Sequence, residues 1–172
     1  GSYFNFTTCN SITVKDNFIY LCGYTGVDNN SQRIEGLLLK INSSNGNLIW
    51  TKTYTNSINN SYIFRDINFQ NNNIFIAGNT NSILGSSSII PNYLYMDTSG
   101  HIIKSLQINI SDFKISDFYR FKLFPLANGS FYVTLFAKES LELQPGYAYH
   151  NIFMKINKSD MISWQYNFSD YY

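Results

Sequence analysis

The sequence predicts an all-β chain of about three four-stranded antiparallel sheets, and three observations carry that prediction. The first is repetition. Asn17 to Thr25 (NFIYLCGYT) recurs as Asn72 to Thr80 (NNIFIAGNT), 55 residues on, and a looser third copy begins at Ser130 (SFYVTLF). The second is a strand that closes each copy and alternates strictly. One side reads Leu48, Trp50, Lys52, Tyr54, then Ile102, Lys104, Leu106, Ile108, then Ile162, Trp164, Tyr166, Phe168. The other side reads Thr51, Thr53, then Ser105, Gln107, Asn109, then Ser163, Gln165, Asn167, the period-two pattern of a half-exposed strand. The third is that no stretch has helical periodicity bounded by caps. Ser111 to Tyr119 could supply one short turn of helix at most.

Taken in order, each copy opens with a short strand (Ser11 to Val14, Tyr62 to Phe69, Tyr119 to Phe124). A polar turn follows at 15–17, 70–73 and 127–129, where Asn, Asp and Gly supply the backbone freedom of a tight hairpin. The second strand is the repeated apolar run. A longer Gly- and Ser-containing loop comes next, Gly26 to Glu35, Asn81 to Asn92 or Lys138 to His150. Its length and composition vary while the flanking strands hold their pattern, as surface loops on a rigid scaffold do. The third strand (Leu37 to Ile41, Tyr93 to Asp97, Ile152 to Ile156) is followed by a turn at 42–47, 98–101 or 157–160 and then by the alternating strand. The second and third strands are apolar on both faces and are expected to be covered on both sides. Covered middle strands with a wetted outermost one, every 55 residues or so, describe the blades of a β-propeller. The divisions fall at about 1–56, 57–110 and 111–172 of a single propeller segment spanning 1–172. Three blades fall short of the roughly four to eight of a closed ring, so further blades or other chains are expected to complete it.

Asn42 to Trp50 resembles the tryptophan-docking motif of quinoprotein-like propeller repeats, A-x-D-x-x-T-G-x-x-x-W. Gly46 and Trp50 stand in its Gly and Trp places. The second copy keeps Gly100 but has Lys104 in the Trp place; the third keeps Trp164 but has Asp160 in the Gly place. The segment also resembles the seven-bladed-propeller-type repeats of bacterial and protist surface proteins. The resemblance spans essentially the whole chain and implies the propeller fold. Catalytic members use a Trp floor, carboxylate and amide ligands for calcium, and in some a disulfide between adjacent cysteines. None of these carries over, because Cys9 and Cys22 are thirteen apart and no acidic cluster stands out. The non-catalytic scaffolds of the family are nearer. Without the family, Gly46 and Gly100 read as positive-φ turn residues and Trp50 and Trp164 as packing anchors between blades.

Composition excludes several classes. Of the 172 residues 13% are charged, about half the usual share, 17% are aromatic, and the formal charge is +1. With no Lys/Arg run in the sequence, nucleic acid is not expected as a partner. No window approaches the roughly 18 apolar residues of a membrane span, and no N-terminal apolar signal is present. Cys9 and Cys22 lack zinc-type spacing. They could form one cross-strand bond if they share a hairpin, and two buried free thiols is the equally open reading. His101 in a turn and His150 at a loop edge read as solvated histidines without a metal-ligand partner. Asp97-Thr-Ser-Gly100 reads as an Asp-initiated turn rather than a calcium loop. Asp112 with Asp117, and Glu139 with Glu142, are the carboxylate pairs a glycosidase would need, but their spacing does not place them across a cleft. Nucleophile-elbow, phosphate-loop and dinucleotide glycine patterns are absent. No cofactor, metal site or catalytic residue is expected.

What stands above background is the set of N-x-S/T sequons at Asn5, Asn29, Asn42, Asn59, Asn109, Asn128, Asn157 and Asn167. Glycans would solubilise a surface so poor in charge, although an Asn- and Ser-rich chain also accumulates sequons by composition alone. The expectation is a non-catalytic extracellular or cell-surface propeller module for assembly, coating or adhesion. Its partners would be other chains, further blades or glycans. The alternatives are a propeller enzyme, carbohydrate-active or quinoprotein-like, and an intracellular interaction scaffold.

Overall fold

The computed structural model describes residues 7–26, 34–57, 60–82, 89–108, 110, 115–140 and 147–171. They form twelve strands: β1 (Thr7–Lys15), β2 (Phe18–Gly26), β3 (Ile34–Asn42) and β4 (Leu48–Ser57); β5 (Asn60–Gln70), β6 (Asn73–Ser82), β7 (Ile89–Met96) and β8 (Ile102–Gln107); β9 (Ile115–Pro125), β10 (Phe131–Ser140), β11 (Tyr147–Ile156) and β12 (Ile162–Tyr171). Each set of four is an antiparallel meander with neighbours in sequence order. The fold is an open segment of β-propeller, three blades without ring closure. The first two blades are continuous through a short ladder, Thr55 opposite Ser61 and Ser57 opposite Asn60. In the stretch 111–119, which could have supplied one short turn of helix at most, the strand β9 runs from Ile115; residues 111–114 lie outside the described set.

The hairpin turns are built as the polar residues predict. Asp16, Asn71 and Gly129 take positive φ in the first turn of each blade, and Gly46, Gly100 and Asp160 take it in the second, at 73°, 81° and 63°. In every second turn the opening side chain accepts from the amide two residues on: Asn42 from Ser44 (2.8 Å), Asp97 from Ser99 (2.9 Å), Asn157 from Ser159 (2.8 Å). This Asx-turn is why Asp or Asn stands first and why Asp160 tolerates a glycine's place.

The inner strands carry a bulge. Asn10 in β1 and Arg65 in β5 are each an extra residue in the ladder, 55 apart. Bulging brings the preceding backbone over the second strand. A Cβ at Gly23 would lie 1.8 Å from the Thr8 carbonyl oxygen, and one at Gly78 would lie 2.5 Å from that of Ile63. Both positions therefore require glycine. In β9 the bulge moves two residues back, between the partners of Phe136 and Ala137. The position facing Phe121 can then hold Leu135, which explains why the third copy lacks the glycine.

Packing is blade against blade. Tyr20, Cys22 and Leu38 of the first blade meet Phe64, Ile67, Ile74, Ile76, Leu94 and Met96 of the second. Phe75, Ala77 and Tyr93 on the second blade's other face meet Phe121, Leu123, Phe131, Val133, Leu135, Ile152 and Met154 of the third. Burying such side chains stabilises by about 1.5–3 kcal/mol each. Gly36 on β3 is the hole that receives the Phe64 ring, which a Cβ there would meet at 2.6 Å. The middle strands are covered on both sides in the second blade only. On the outward face of the first blade Ile12 and Val14 are 60% and 62% exposed, with Ile19, Leu21, Leu37 and Leu39 half-buried. On that of the third, Tyr166 and Phe168 are 62% and 66% exposed. A fully apolar strand implies two neighbours, and each terminal blade has one within this chain.

Candidate functional site

Two places gather chemistry: the seam where one blade's second turn meets the preceding blade, and the inner edge where β1, β5 and β9 run together.

At the first seam, Gly100 sits against Trp50, Lys52 and Tyr54 of the first blade. The Tyr54 hydroxyl donates to the Gly100 carbonyl at 2.6 Å, and Trp50 lies edge-on to Tyr20 with centroids 6.3 Å apart. Burial, with the Asp97 carboxylate adding to it, pushes the Tyr54 phenol up to about 12. At the second seam Asp160 takes the place of the glycine and meets Lys104 and the Tyr93 hydroxyl. Burial pushes Tyr93 up to about 12 as well. The two departures from the docking pattern, Lys104 for Trp and Asp160 for Gly, are thus one change: an ion pair replaces aromatic-on-backbone contact. Two halves of the same device are left over. Gly46 has nothing within 4 Å of where its Cβ would be. Trp164 lies on the third blade's open face beside Tyr132, Phe153 and Tyr166, at centroid distances of 5.9, 5.3 and 5.5 Å.

At the inner edge, side chains stitch the blades. Asn10 Nδ2 donates to the Phe64 carbonyl (2.6 Å), Asn68 Nδ2 to that of Leu123 (3.3 Å) and Gln70 Nε2 to that of Leu126 (2.9 Å). The buried Asp66 carboxylate accepts from Ser11 Oγ (2.7 Å), Lys122 Nζ (2.8 Å) and the Leu123 amide (3.2 Å), so one acid joins all three blades. A buried carboxylate needs this full set of partners, since an unpaired one would be strongly destabilising. Ser11, Asp66 and Lys122 recur at steps of 55 and 56, so the network is a product of the repeat. Beside it a cavity of about 440 Å³ is lined by Asn10, Arg65, Arg120, Phe121, Lys122 and Thr134. Sequence reasoning missed this cluster because its members are dispersed along the chain. The signal was present in the spacing: Arg65 and Arg120 are 55 apart, one repeat length.

The other sequence candidates are placed as follows. His150 was expected to be solvated at a loop edge. It is instead four residues into β11, 1% exposed, with Nε2 2.9 Å from Glu139 Oε2. The loop is shorter than the sequence suggested because the ladder with β10 continues to Ser140 opposite Tyr147. His101 is exposed in its turn, its Nδ1 3.0 Å from Ser99 Oγ. Hydrogen bonds from Ser99 and His101 hold the Asp97 carboxyl well below the usual range. Cys9 is an exposed free thiol and Cys22 a buried one, and burial pushes the Cys22 thiol up. Of the sequons, Asn128 and Asn157 lie in turns, Asn42 ends β3 and opens one, and Asn167 lies exposed on β12. In the three turn sequons Oδ1 binds the amide of the sequon's own Ser, so there the N-x-S pattern also serves the turn. Asn5, Asn29, Asn59 and Asn109 lie outside the described residues, as do Asp112 and Glu142, and of Asp117 only the strand position is described. Among the described residues no three His, Cys, Asp or Glu come together to hold a metal, and no helix is long and apolar enough to cross a membrane.

The fold defines a class, the propeller-like blade-repeat proteins. Beyond that class the comparisons add no relative: no protein-family model matches the chain, and no curated protein matches it.

Proposed function

We propose that this chain is a non-catalytic, extracytoplasmic β-propeller module for structural assembly, surface coating or adhesion. Its repeats are of the quinoprotein-like, tryptophan-docking type, and its partners are further blades or other chains that continue the stack. The observation that carries the reading is the unmatched pair, Gly46 on one open face and Trp164 on the other. At the first internal seam a glycine turn sits on a tryptophan strand, Gly100 against Trp50. The open faces repeat that complementarity, aliphatic on the first blade and aromatic on the third. A head-to-tail contact of this kind is heterologous, giving a ring if its rotation closes and a filament if it does not.

Sedimentation across a concentration series tests the assembly. Association that weakens with Trp164→Ala, and not with a change at exposed Lys158, supports the reading. A chain that stays monomeric at every concentration and binds no added blade overturns it. The extracytoplasmic part rests on the sequons and is tested separately, by intact mass of the protein from its natural source before and after glycosidase. A mass equal to that of the bare polypeptide refutes it.

A further inference from the structure

We propose that the cavity at the inner edge of β1, β5 and β9 binds a small oxyanion: a carboxylate, sulfate or phosphate group.

The argument begins with charge. The chain has 12 Lys and Arg in 172 residues, and three of them line this one cavity with three uncharged residues. Of these three, Lys122 is bonded at 2.8 Å to the Asp66 carboxylate. Arg65 Nε donates at 3.2 Å to Oδ1 of Asn79, a neutral and fully buried amide. That bond is to a neutral group and does not offset the guanidinium's charge. Arg120 is exposed and has no ion-pair partner among the described residues. Among the described residues the lining therefore carries three cations against the one carboxylate bonded to Lys122, a self-repulsion that an anion relieves.

Geometry then narrows the ligand. Arg120 and Lys122 are two apart on β9 and so share a face, with Thr134 directly across the ladder from Lys122. Arg65 reaches the same cavity from β5 because it is the bulged residue, and bulges re-aim side chains in this way. Two guanidiniums, an ammonium, the Thr134 hydroxyl and the Asn10 amide suit an oxyanion, because guanidinium forks match carboxylate, sulfate and phosphate edges two bonds at a time. The volume of about 440 Å³ lies within the roughly 300–1,000 Å³ of small-molecule sites and exceeds what a bare ion fills. It leaves room for a group such as a sugar ring to carry the anion.

Melting temperature is measured against sodium sulfate, sodium phosphate and sodium glucuronate, each at ionic strength matched with chloride, with calorimetric titration of the same salts. The expected result is a saturable rise of several degrees, as a ligand at about 100 times its Kd gives. Affinity should fall tenfold or more in Arg120→Gln and be retained in Lys158→Gln, which removes one charge from an exposed site outside the cavity. A larger rise with glucuronate than with the inorganic anions identifies an acidic sugar as the ligand; the reverse identifies a free tetrahedral anion. No saturable effect beyond chloride overturns the proposal, and so does an effect equal in Arg120→Gln and the parent protein, since sulfate and phosphate stabilise folded proteins generally. Calorimetry on the unmutated protein keeps the test decisive if Arg120→Gln does not fold.

Discussion

Replacing Gly78 by alanine separates two physical effects of opposite sign. In an ordinary strand the change is favourable, since glycine costs about 0.5–1 kcal/mol in backbone entropy relative to alanine. At Gly78 the new methyl would lie 2.5 Å from the Ile63 carbonyl oxygen, at least about 0.5 Å closer than real contacts reach. That oxygen is backbone at the start of the Arg65 bulge, next to Phe64, which is fully buried between blades. Yielding therefore means opening the ladder or shifting Phe64 in its seat on Gly36. Overpacking of this kind costs about 1–3 kcal/mol and a lost ladder hydrogen bond about 0.5–1.5 kcal/mol. After the entropy gain is subtracted, the expected loss is about 2 kcal/mol. For a chain of this length that lowers the melting temperature by about 4–8 °C. Urea titration should show a lower midpoint with the slope unchanged. Gly23→Ala, with its contact at 1.8 Å, should lose more. If Gly78→Ala matches or exceeds the parent protein in stability, the bulge does not impose the glycine and the account of why the third blade dispenses with it fails.

Exchanging the docking pair of the second seam for that of the first should be additive only in part. Lys104→Trp and Asp160→Gly alone should each destabilise by about 1–2 kcal/mol, and together by less than their sum, as a double-mutant cycle in urea would measure. Asp97 contributes stability above the carboxyl's unfolded value and loses it as pH falls through its depressed folded value. Asp97→Asn, which keeps the Oδ1 acceptor used by Asn42 and Asn157 but not the charge, should therefore flatten the acid limb of the stability curve by lowering stability at pH 7 toward the parent's value in acid. At the alkaline end, Tyr54 and Tyr93 keep their protons to about pH 12 while the unfolded chain ionises near 10. Stability present below pH 10 should fall between 10 and 12, followed by phenolate absorbance. Thiol titration of the native protein should find Cys9 reacting promptly and Cys22 only after denaturant is added.

What the sequence alone determined is local. The turns at Asp16, Asn71, Gly46 and Gly100 could be placed because Asn, Asp and Gly alone tolerate the backbone those turns need. The twelve strands followed from alternation and repeat spacing, properties of neighbours a few residues apart. Which faces are covered is a different matter. Leu39 and Leu94 are equally apolar in sequence, yet the first is half-buried on an outward face and the second is sealed between blades. Only tertiary structure decides this, because burial depends on what lies across the interface. The same holds for His150, drawn into the ladder beside Glu139, and for the meeting of Gly100 with Trp50 across 50 residues of chain. It holds most of all for Arg65, Arg120 and Lys122. They are unremarkable in their own strands and become a cationic cavity because three inner strands converge on one edge. Periodicity is written in the covalent order of the chain, whereas convergence exists only after blades have packed.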